Sequence, residues 1–121
     1  MGRRGLIALV VVVLAGGCGP TPPQAPGPQA HRLNKSLSAI STACGHATEI
    51  QEFTNDARAL TITEHQAQRQ IPALAQVYRQ NPSWIFQGKT VAELVQMSQT
   101  YLDECGLHRA ARRLRAATSS K

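Results

Sequence analysis

The sequence predicts an all-α protein: a small up-down bundle of three to four helices stapled by one disulfide. Three observations predict it. From His31 onward, apolar residues recur every three or four positions, which marks one face of a helix. Period-two runs of β-branched residues are absent from the same stretch. Two cysteines, Cys44 and Cys105, fall on apolar faces of two such helices. With 121 residues in all, the chain has room for one small core and no more. That length excludes a dinucleotide-binding sheet and a (β/α)₈ barrel. Cores of this size usually want a covalent staple.

The chain opens on a basic start, Gly2-Arg3-Arg4, followed by an uncharged apolar run from Gly5 to Ala15. The run is too short to cross a bilayer as a helix, which takes about 20 residues. A basic start before a short apolar core is the pattern of a signal peptide. Leu14-Ala15-Gly16-Gly17-Cys18 then sets small residues directly before a cysteine. This segment resembles the lipobox of bacterial lipoproteins, with Ala15 standing where the pattern prefers Leu. The resemblance implies that residues 1–17 are a lipoprotein signal peptide and that Cys18 becomes the lipidated N-terminus. It implies an address as well, the extracytoplasmic face of a cell membrane or outer membrane. Two or more acyl chains at one residue anchor a protein stably, whereas one is marginal.

Residues 18–30 form the lipidated cysteine and a Pro-rich tether, and residues 31–121 the helical domain. The tether, GPTPPQAPGPQA after Cys18, holds five of the chain's seven prolines. Such a stretch is a semi-rigid spacer, and twelve residues at about 3.1 Å each reach about 37 Å.

The first helix presents Leu33, Leu37, Ile40, Cys44, Ala47, Ile50 and Phe53 on one face, and Thr54-Asn55-Asp56 breaks or bends it. Thr61-Ile62-Thr63-Glu64 has capping-box spacing and starts a second helix, with Ala67, Ile71, Leu74 and Tyr78 facing inward. Pro72 kinks or splits this helix, and Asn81-Pro82 ends it. Thr90-Val91-Ala92-Glu93 is another capping box. It starts a third helix whose face is Val91, Leu94, Val95, Ser98, Leu102 and Cys105. Gly106 interrupts, and Leu107, Ala110, Ala111 and Leu114 mark a short fourth helix. Short connections between amphipathic helices make antiparallel neighbours.

Of three cysteines, lipidation takes Cys18 and leaves Cys44 and Cys105 as a pair in an oxidising compartment. A bridge between them closes a loop of roughly 60 residues, worth about 4 kcal/mol in the chain-entropy model. It sets helices one and three parallel. Helix four then turns back, its arginines near Arg32, Lys35 and the tether.

The formal charge is +6, unevenly spread. Residues 109–121 carry Arg109, Arg112, Arg113, Arg115 and Lys121 without an acid. The arginines lie opposite Ala110, Ala111 and Leu114. A basic amphipathic helix beside a lipid anchor fits contact with anionic headgroups, each charge contributing about 1 kcal/mol. The plainer reading is a solvated face near a helix C-terminus, where cations are favoured anyway. No nucleic-acid partner is expected, since no aromatic residue interleaves with these arginines.

Trp84-Ile85-Phe86 places three large apolar residues, including the only Trp, in a connection where polar turn residues are ordinary. They either plug the open end of the bundle or dock a partner protein, with Trp84 as anchor. Glu49, Glu52 and Asp56, one turn beyond His46, read as an exposed acidic stripe rather than a metal site, and adjacent Glu64 and His65 diverge on a helix. No haem-attachment motif, Gly-x-Ser-x-Gly elbow, phosphate loop or His-Glu-x-x-His is present. The expectation is therefore a non-enzymatic, membrane-tethered binding or assembly module of the cell envelope, without catalytic residues, cofactor or metal. The alternative is a carrier of a small apolar or metal ligand in the bundle core. The layout also resembles the pilotins of type II secretion, small lipidated helical proteins that escort secretin subunits. That likeness is architectural, without a shared motif.

Overall fold

The computed structural model describes residues 23–119, so the signal segment, Cys18 and Lys121 lie outside the described residues. The elements run α1 Gly27–Glu49, α2 Ala57–Gln68, α3 Ile71–Gln80, β1 Ile85–Phe86, β2 Lys89–Thr90, α4 Val91–Glu104 and α5 His108–Thr118. A π-helical turn over Ile50–Thr54 extends α1. The fold is an all-α up-down bundle of four legs, with α2 and α3 sharing the second. α3 and α4 meet in the middle, and α1 and α5 each pack on both from opposite sides. Leu33, Ile40, Ile71, Leu74, Val77, Val91, Leu102, Leu107 and Leu114 fill the centre, each at most 2% exposed.

Cys44 and Cys105 are disulfide-bonded, with Cα atoms 5.5 Å apart. The bond ties the last turns of α1 to the end of α4, so these two helices run parallel. Gln51 adds a polar tie at the same place, its Nε2 donating at 2.9 Å to both the Ala47 and Cys105 carbonyls. Gly106 follows with φ +88, a left-handed turn that leaves room for the Gln51 side chain 3.0 Å from where a Cβ would stand. The Thr90–Glu93 capping box forms as expected and starts α4.

Three expectations change. The second helix starts at Ala57 and not near Thr61, because Asp56 accepts from the Arg58 and Ala59 N–H groups and caps it earlier. Thr61 is then mid-helix, and Glu64 serves another leg, its Oε2 accepting from the Ala110 N–H at 2.7 Å near the start of α5. Phe53 is 79% exposed rather than inward. The π-helical turn inserts a residue and rotates the apolar stripe, until Asn55 at φ 52 ends it. Of the two outcomes expected at Pro72, the structure shows the split: α2 stops at Gln68 and α3 begins at Ile71 with the proline in its first turn. The bundle keeps its four legs, built from five α-helical segments among the described residues.

The third change concerns the tether. Its last residues belong to the folded body. The Ile85 N–H donates to the Pro23 carbonyl and the Ala25 N–H to the Ile85 carbonyl, both at 2.9 Å, so Gln24 forms one parallel β-bridge with Ile85 at the edge of the β1–β2 hairpin. α1 then starts at Gly27, behind Pro26.

Candidate functional site

The bundle has two unlike poles. At one, the Cys44–Cys105 bond, Asn55-Asp56 and the Gly106 turn come together. At the other, the hairpin covers the start of α1 and the end of α3, with α4 leaving from β2. Arg79 Nη1 donates to the Ala117 carbonyl at 3.1 Å, which brings the end of α5 to this pole too.

The hairpin forms because Gln87 and Gly88 both adopt positive φ, 52° and 82°, as a two-residue type I′ turn needs. Ile85 pairs with Thr90 and Phe86 with Lys89. Trp84 and Phe86 are half-buried and pack against the core, while the Ile85 backbone holds residues 23–25. The Trp84-Ile85-Phe86 segment is thus the clasp that fastens the tether.

α5 buries Ala110, Ala111 and Leu114 completely. Its apolar face packs on the bundle, and Arg109, Arg112, Arg113 and Arg115 are exposed. They do not gather near Arg32 and Lys35. Arg113 Nη1 donates to Gln68 Oε1 at 3.1 Å, and Arg115 Nη2 donates to Asp103 Oδ2. Arg32 Nη1 instead donates to Gln76 Oε1 at 2.7 Å. The reason is the packing: α5 lies on α2, α3 and α4 and sits diagonally from α1.

Asp103 also faces His108, with Nδ1 and Oδ1 3.0 Å apart. The His108 hydrogen bond, then that of Arg115, holds the Asp103 carboxyl below its ordinary value. The Thr90 N–H does the same for Glu93. A carboxyl whose folded pKa is depressed stabilises the fold above its unfolded value of about 3.9, and that stabilisation is lost as pH falls through the folded pKa. Asp103→Asn should therefore melt below wild type at neutral pH, with the gap closing once the pH drops under about 4. A gap in thermal midpoint that stays constant from neutral to acid pH would show that Asp103 contributes no such linkage.

Sequence reasoning missed a groove beside α4, of about 790 Å³, whose lining includes Leu37 and Ile40 of α1 and Leu94, Met97 and Tyr101 of α4. Met97 and Tyr101 are 51% and 43% exposed. The signal for them was present, since both are large and sit off the Val91-Leu94-Val95-Ser98-Leu102 stripe at i, i+4 spacing. Glu49, Glu52 and Asp56 are exposed, and no group of three or more His, Cys, Asp or Glu could hold a metal ion among the described residues. Among the same residues, no helix is long and apolar enough to cross a membrane. No protein-family model, curated protein or solved structure matches the chain.

Proposed function

We propose that the chain is a non-enzymatic lipoprotein, tethered through Cys18 on the extracytoplasmic face of a cell membrane or outer membrane, that serves there as a binding module. The observation that carries this reading is the cysteine pairing. Cys44 and Cys105 occupy each other, so the one cysteine left in the chain is the one in the lipobox-like segment. Met97 and Tyr101 support the binding role. A domain with so small a core leaves two large side chains half uncovered beside Leu37, where a protein partner gains by covering them.

The test is intact-mass spectrometry of the protein purified from its own membrane, with a Cys18→Ser variant alongside. Acyl mass on a chain starting at Cys18 is expected, together with loss of the variant from the membrane fraction. An unlipidated wild-type chain would overturn the anchor. Photocrosslinking from position 97 of the membrane-bound protein is expected to give discrete protein adducts. No adduct there, or the same smear as from position 109, would overturn the binding role.

A further inference from the structure

We propose that the hairpin pole is a docking face for an anionic phospholipid surface and lies flat against the bilayer. This rests on the reading of Cys18 as the lipid anchor. Two observations carry it.

The first is length. Pro23 is already bonded to Ile85, so only the stretch from Cys18 to Pro23 separates anchor from body. Five residues at about 3.3–3.6 Å each span at most about 18 Å. That is about half the reach of a free twelve-residue tether. The pole that holds Pro23 stays next to the headgroups.

The second is charge. Arg32 and Lys35 in the second and third turns of α1, Arg79 at the end of α3 and Lys89 in β2 are all exposed on this half of the bundle. The carboxylate beside them is Glu93, whose Oε1 already accepts from the Thr90 N–H at 2.8 Å. Glu49, Glu52 and Asp56 stand at the end of α1 and start of α2, and Asp103 and Glu104 at the end of α4, away from the hairpin. Trp84, Ile85 and Phe86 are half-buried in the same hairpin, with Phe86 paired to Lys89. Amphipathic rings with cationic neighbours settle at headgroup depth, and basic residues near an anionic leaflet are drawn to it. Arg109, Arg112 and Arg113 of α5 lie on a flank rather than on the pole, and Arg115, nearer to it, is held by Asp103.

Trp84 is the only tryptophan in the chain, so its fluorescence reads this face alone. Purified full-length protein is mixed with brominated phosphatidylcholine vesicles, with or without phosphatidylglycerol. The expected result is quenching of Trp84 that is strong only with phosphatidylglycerol and falls with added salt. The variant Arg32→Gln/Lys35→Gln/Arg79→Gln/Lys89→Gln should lose it. Lys35→Gln/Lys89→Gln, which spares the hydrogen-bonded arginines, should weaken it. In the Cys18→Ser background the fourfold change should lower vesicle affinity at least about tenfold. Arg109→Gln/Arg112→Gln/Arg113→Gln should change nothing. Loss of quenching in that last variant would assign the contact to α5 and overturn the proposal. So would equal quenching on neutral vesicles, or none in the wild type. Failure of the anchor reads differently: the protein then does not pellet with neutral vesicles, whatever Trp84 reports on anionic ones.

Discussion

The double variant Cys44→Ala/Cys105→Ala is expected to melt roughly 15–30 °C below the oxidised protein. The bond joins residues 61 apart in sequence, and the chain-entropy model assigns a loop of that length about 4 kcal/mol. For a domain of under 100 ordered residues, 1 kcal/mol moves the midpoint by roughly 4–8 °C. Most of the effect lies in the unfolded chain, which gains freedom when the link is cut. The native helix content should therefore survive at low temperature, with Gln51 still bonded to the Cys105 carbonyl. Reductant on the wild type should reproduce the shift. A fall under about 5 °C would mean that packing of α1 on α4 holds this pole without the bond.

Leu114→Ala is the second large effect. Leu114 is fully buried, and its inward companions on α5, Ala110 and Ala111, are small. Removing it strips α5 of its main side chain in the core and leaves a void against α2, α3 and α4. The expected cost is about 3 kcal/mol, within the range for buried Leu→Ala. Arg112→Ala, on the exposed face of the same helix, should fall within about 0.5 kcal/mol of wild type. Urea unfolding of the pair checks both. Equal effects would mean that α5 does not rest on the bundle through its alanine-leucine face.

Much of this was legible because the signals were local. Thr90 and Glu93 name a helix start by their spacing alone, and Gly106 names a stop. Leu107, Ala110, Ala111 and Leu114 name a buried face, and all four are fully buried. What escaped depends on competition or on distant partners. Asp56, read only as part of the break and of the acidic stripe, caps α2 five residues before the Thr61 box because its carboxylate accepts from two N–H groups. The π-helical turn leaves no mark in spacing, so Phe53 stayed on the apolar stripe in the sequence and left it in the fold. The bridge at Gln24 was hidden by the tether's prolines, which lack a donor. Yet Pro23 gives only its carbonyl and Ala25 only its N–H, so the prolines cost the ladder nothing. Their partner is Ile85, some 60 residues on. The Gln87-Gly88 turn was the readable half of that pairing. As for Met97 and Tyr101, a helical wheel flags them as off-stripe, but only the placement of α1 shows what lies beside them.

Residues 23–25 enter beside Ile85, and α5 finishes against Arg79, so both ends of the described chain leave the bundle at the same pole. Any tag, fluorophore or fused domain added after residue 119 thus crowds the face that also carries the leader. The Thr54–Asp56 corner lies at the far end of a 23-residue helix, about 35 Å away, and tolerates a reporter there. Adjacent ends also permit a circular permutant. A short linker from 119 to 23, with new termini opened at Asn55, keeps every core contact while moving the free ends to the opposite side of the molecule.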